Sequence, residues 1–103
     1  TVLSRKTLEE MWEPRFPFEK LGEDQVFIGL GFFVVEHKRP GGRPIRFVGH
    51  GGFLMAFHTL FQVCPDVGCA FMGGGNPVNH GHSGAWANHL REAAYDRLVP
   101  LFA

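Results

Sequence analysis

At 103 residues, with ten basic residues balancing ten acidic ones, the chain is one domain or a piece of one and sets up no broad field to attract nucleic acid or an anionic membrane. Apolar residues make up 45% and charged residues 19%, which excludes a disordered chain, and no apolar run nears the ~20 residues that a membrane-spanning helix needs. Eleven Phe, fourteen Gly and seven Pro point to short strands packed through aromatic side chains and joined by sharp turns.

Thr1–Lys6 has no hydrophobic signal region, so no export signal is expected in this numbering, and the compartment is left unassigned. Ser4 is a good N-cap, and Leu8, Met11 and Trp12 lie on one side of a short helix that Pro14 and Pro17 stop. The arm from Arg15 to Asp24 has no clear period and is expected to be irregular. Val26–Glu36 is β-branched and aromatic, too interrupted by glycine for a helix, and reads as one strand bent or bulged near Gly29 and Gly31. His37–Pro44 makes a hairpin loop around Pro40-Gly41-Gly42, whose basic residues Lys38, Arg39 and Arg43 fit a solvated turn. Ile45–Gly49 returns as the partner strand.

That strand runs into Phe47-Val48-Gly49-His50-Gly51-Gly52-Phe53-Leu54, where an apolar run delivers one imidazole and then two residues without side chains. Glycines inside a strand mark a bulge or a place where a ligand or another backbone comes close. The segment therefore reads either as the wall of a substrate cleft with His50 at its rim, or as a hairpin turn or bulge with an incidental histidine. Phe53–Val63 is nearly all apolar, and its second part alternates Phe57, Thr59, Phe61 and Val63 against His58, Leu60 and Gln62, as in a strand with one polar-tolerant face. Pro65-Asp66-Val67-Gly68 is a turn, Cys69–Met72 a short strand, and Gly73-Gly74-Gly75-Asn76-Pro77 its exit. A final helix is expected from about Gly84 to Val99, capped by Ser83 and laying Trp86, Leu90, Ala94 and Leu98 on a sheet face.

The candidate chemistry is sparse. His80-Gly81-His82 joined by His58 or His50 is the one histidine arrangement that resembles a metal site, but no carboxylate lies beside either loop histidine to orient it, and the preferred reading has no metal and no cofactor. Cys64 and Cys69 face each other across the turn if the hairpin forms. A cross-strand disulfide then fits the spacing, while a pair of buried free thiols is the commoner arrangement. Ser4 and Ser83 are the only serines, and neither begins a Ser-x-x-Lys step or sits in a Gly-x-Ser-x-Gly elbow. These residues alone hold no complete nucleophilic site.

Taken in order, the Ser4–Met11 helix with its prolines, Gly29-Leu30-Gly31-Phe32, Gly49-His50-Gly51-Gly52, and Pro65-Asp66-x-Gly68 leading through Phe71 to Asn76 and a last helix resemble the C-terminal portion of the β-lactamase-like serine hydrolases. That group includes class C β-lactamases, D-alanyl-D-alanine peptidases and related esterases. The resemblance implies that His50 is the first residue of a Lys/His-x-Gly triplet opposite the nucleophilic serine, orienting substrate and supporting the proton network. Gly51 and Gly52 complete the triplet as substrate-binding backbone, and the Phe53 N–H joins the oxyanion hole. Ser-x-x-Lys and the Tyr-x-Asn-type loop of the family are missing from these residues, Ala56 stands where relatives often have Gly, and Gly73–Gly75 replaces a more apolar strand end.

The expected fold, over residues 1–103 as a single fragment, is α+β: an antiparallel sheet of about four or five strands with a short helix before it and a longer one packed after it. The expected function is that segment of a serine hydrolase acting by acyl transfer on a small ester or amide, inactive by itself. The alternatives are a non-catalytic module that self-associates through its exposed sheet edge, and the histidine metal site.

Overall fold

A computed structural model describes residues 2–39, 41–54, 57–76 and 83–102, with backbone alone for Phe53 and residues 83–87. Helix α1 (Arg5–Trp12) is followed by strands β1 (Phe16–Leu21), β2 (Asp24–Ile28), β3 (Phe33–His37), β4 (Ile45–Leu54), β5 (Phe57–Cys64) and β6 (Cys69–Gly75), then by helix α2 (Ser83–Ala93). The strands form one antiparallel sheet in chain order, each hydrogen-bonded to the next. The class is α+β as expected, with six strands in place of four or five. The chain divides into two compact units, Thr1–Gly49 and His50–Ala103.

In the first unit, Ser4 holds an extended conformation and its hydroxyl oxygen accepts from the Thr7 N–H at 3.1 Å, capping α1 as its sequence position requires. Glu13 is already extended before Pro14, because the proline ring disfavours a helical conformation in the residue that precedes it. The stretch expected to be an irregular arm is β1. Its residues are exposed apart from half-buried Leu21, and its register with β2 shifts between Pro17 and Glu19. An edge strand tolerates a proline and, with neither face covered, shows no hydrophobic period; both features hide it in the sequence.

The single bent strand expected over Val26–Glu36 is instead a hairpin. Gly31 takes φ +81°, and the Gly29 N–H donates to the Phe32 carbonyl at 2.8 Å, which turns the chain fully round. The end of α1 clamps this turn: the Leu30 N–H donates to the Met11 carbonyl at 3.0 Å, and the Arg15 N–H donates to the Ile28 carbonyl at the same distance. A Cβ on Gly29 would lie 2.5 Å from that Met11 oxygen. Register then places Val26, Val35 and Phe47 on one face and Val34 and Val48 on the other, all buried, so both faces of β3 are covered at its centre.

In the second unit, β5 alternates as expected, but its burial runs against simple hydropathy. His58, Leu60, Gln62 and Cys64 are buried, whereas Phe57, Thr59 and Phe61 are exposed. The buried face is the one that the helical segment covers: Leu90 of α2 lies over Gly73, where an added Cβ would come 2.7 Å from its Cδ2. The glycine triplet is therefore inside β6, not its exit, with Gly73, Gly74 and Gly75 paired to Leu60, Thr59 and His58. The expected stripe holds at Leu90 and Ala94 and fails at Leu98, which is 47% exposed. The helix widens to a π-helical turn over Ala94–Leu98 and then tightens to a 3₁₀ turn over Val99–Leu101, so its phase shifts and Tyr95 and Val99 take the buried positions. The Trp86 side chain and the Ser83 cap lie outside the described side chains, and Ala56 and Pro77 outside the described residues.

Replacing Gly29 by Ala drives a methyl into a backbone oxygen and is expected to lower unfolding stability by about 1–3 kcal/mol. Gly74→Ala, whose Cβ meets only ordinary contacts at 3.6 and 3.8 Å, is expected to be neutral or slightly stabilising. Urea unfolding of the two variants beside the wild type measures the contrast.

Candidate functional site

The His50–Phe53 segment lies within β4 in extended conformation. Pairing with β3 ends at Phe33↔Gly49, so β4 continues through Leu54 beyond the last residue paired to β3. His50 is exposed, Gly51 half-buried and Gly52 exposed. The His50 Nδ1 contacts the Gly51 carbonyl oxygen. A carbonyl oxygen can only accept, so any hydrogen bond here is donated by the ring. The backbone of Phe53 is in the same strand; its side chain lies outside the described side chains.

The two glycines also have a packing use. A Cβ on Gly52 would sit 2.9 Å from the Thr59 Oγ1, and one on Gly51 would meet the Thr59 carbonyl oxygen at 3.4 Å. The bare backbone thus lets the next strand's threonine lean in, the close approach of another backbone that glycine within a strand permits. On that side, the space a side chain would fill is taken by the neighbouring strand.

Polar pairs in both units escaped the sequence reading. His37, expected in a loop, ends β3, where its Nδ1 lies 2.8 Å from the Asp24 Oδ2; the Lys38 N–H donates to the other carboxylate oxygen at 3.0 Å. The His37 ring also meets Phe47 edge-on, with centroids 6.2 Å apart. Asp24 and His37 sit equally far from the Gly29–Phe32 turn, each four residues beyond the Ile28↔Phe33 pair, so recognising the hairpin would have matched them. On the opposite face Arg46 reaches Glu36 across the strands at 3.2 Å, a half-exposed pair that adds little to stability.

In the second unit the Tyr95 hydroxyl donates to the Gln62 Oε1 at 2.6 Å, both residues being buried, and the Tyr95 ring stands edge-on to Phe71 with centroids 6.2 Å apart. This bond explains why Gln62 can face inward: burying a polar side chain is costly unless a partner meets it there. Cys64 lies on the same face. Burial pushes its thiol above the ordinary value of 9.0, with nearby Cys69 and Asp66 adding in the same direction, while backbone N–H groups at Val67 and Asp66 oppose the rise. It is a protonated, shielded thiol at neutral pH.

Among the described residues no group of three or more His, Cys, Asp and Glu is arranged to hold a metal ion. His80 and His82, the core of the histidine-site alternative, lie outside the described residues. No described helix is long and apolar enough to cross a membrane. Compared with protein-family models, with curated proteins and with solved structures, the chain matches none.

Removing the Tyr95 hydroxyl leaves the Gln62 oxygen buried without that donor, so Tyr95→Phe is expected to cost about 1–3 kcal/mol. Pairing it with Gln62→Leu removes both polar partners and should recover most of the loss. Thermal unfolding of the two single variants and the double variant measures the coupling.

Proposed function

We propose that this chain is the C-terminal segment of a β-lactamase-like serine hydrolase that transfers the acyl group of a small ester or amide. The observation that carries this reading is the geometry of β4: an exposed imidazole followed by two glycines, on an extended strand that runs past its partner β3. His50 orients substrate and supports the proton network, Gly51 and Gly52 let substrate lie close along the backbone, and the Phe53 N–H faces the carbonyl oxygen on which charge develops. A backbone donor suits that task because it is fixed before the charge appears, and loss of one such donor typically slows a reaction by ~10²–10³.

The attacking serine and the lysine that takes its proton come from sequence outside these 103 residues. The serine oxygen adds to the substrate carbonyl, the leaving alcohol or amine departs with a proton, and water then frees the acyl group. The 103-residue chain alone is expected to leave nitrocefin and p-nitrophenyl acetate unhydrolysed. The coding sequence upstream is expected to contain Ser-x-x-Lys, and in the protein that contains it His50→Ala should lower kcat/KM by about 10–100-fold. Hydrolysis by the short chain that survives replacement of both Ser4 and Ser83 would overturn the missing-nucleophile argument, and an upstream sequence without Ser-x-x-Lys would overturn the assignment.

A second reading is favoured by the uncovered face of the second unit. Leu54, Phe57, Phe61 and Met72 are 75%, 62%, 42% and 79% exposed, and among the described residues no strand pairs with the outer edge of β6. Such a face and edge suit self-association. Sedimentation velocity over a wide concentration range is expected to show a dimer if this reading holds, and a strictly monomeric folded chain would remove it.

A further inference from the structure

The register of the β5–β6 hairpin puts Cys64 directly opposite Cys69 as the last pair before the turn. Turn geometry fixes that register: the Cys64 carbonyl accepts from the Gly68 N–H at 2.8 Å and from the Val67 N–H at 3.3 Å, and Gly68 holds φ +76°. Both cysteines are free thiols. Directly opposed residues of an antiparallel pair have Cα atoms about 4.5–5.5 Å apart, inside the ~4.4–6.8 Å span that a disulfide bridges, and their side chains leave the sheet on the same side. The two differ in access, since Cys64 is fully buried and Cys69 half-buried at the strand's start.

We propose that Cys64 and Cys69 form a reversible redox pair, in which a low-molecular-weight disulfide of the glutathione type oxidises them to a cross-strand disulfide at the β5–β6 turn. Cys69 reacts first because it is the accessible thiol. It loses its proton and attacks one sulfur of the small disulfide, forming a mixed disulfide and releasing one small thiolate. Cys64 then loses its proton and attacks the Cys69 sulfur, closing the protein disulfide and releasing the second small thiolate. Two protein thiols are oxidised, one small disulfide is reduced to two thiols, and the two protons lost by the cysteines are taken up by the leaving thiolates. The burial of Cys64 gives the order of events: the inner thiol meets no solution oxidant and serves to resolve the adduct formed on the outer one.

The folded chain, equilibrated with excess glutathione disulfide, is expected to lose the mass of two hydrogen atoms, stay monomeric on a non-reducing gel and regain both thiols with dithiothreitol. Cys64→Ala, which keeps a small apolar side chain at the buried position, should instead hold a stable glutathione adduct on Cys69. Cys69→Ala should leave Cys64 unmodified until the chain is denatured. The wild-type mass measurement requires no variant to fold. Accumulation of the mixed disulfide in wild type, disulfide-linked dimers, or a chain that remains fully reduced under this excess would each overturn the proposal.

Discussion

Turn geometry governs the sheet, because it sets which residue of one strand stands opposite which residue of the next. In the first unit the Gly29–Phe32 turn does this, held by the Leu30 N–H on the Met11 carbonyl at 3.0 Å. In the second unit the Pro65–Gly68 turn does it, held by two N–H groups on the Cys64 carbonyl. A slip of one residue at either turn would send every side chain of the following strand to the wrong face. Asp24 would lose His37, Phe71 would turn away from the Tyr95 ring, and Gly73 would no longer lie beneath Leu90.

The sequence was readable where one local rule dominates. The capping serine, the stop at Pro14, the strand leading into His50 and the turn at Pro65–Gly68 all follow from the residues present. It was unreadable where tertiary context decides. Strand β1 has no covered face and so no period, and Gly29 and Gly31 serve a bulge and a turn equally well until the clamp from α1 is seen. The glycine triplet reads as punctuation in one dimension and as room for Leu90 in three.

The candidate site divides in the same way. The His50-Gly51-Gly52 order could be seen in the sequence because its residues are contiguous, and the segment lies in extended conformation within β4. The Asp24–His37 and Gln62–Tyr95 pairs were not, since their partners stand 13 and 33 positions apart and meet only once strand register and helix phase are set. The inversion of β5 has the same origin. Phe57 and Phe61 look like core residues and Gln62 like surface, yet a tyrosine hydroxyl waiting beneath the helical segment reverses the preference.

The contacts of the C-terminal helical segment carry one more implication. Leu90 drops into the hollow above Gly73, and further along, where the π-helical turn begins, Tyr95 is tied to Gln62. A rod fastened at a single point can still swivel, whereas a rod fastened at two can neither swivel nor creep along its bed. The stretch from Leu90 to Tyr95 sets the spacing between these two anchorages, so removing a residue from it would leave the segment able to satisfy one anchorage at the expense of the other.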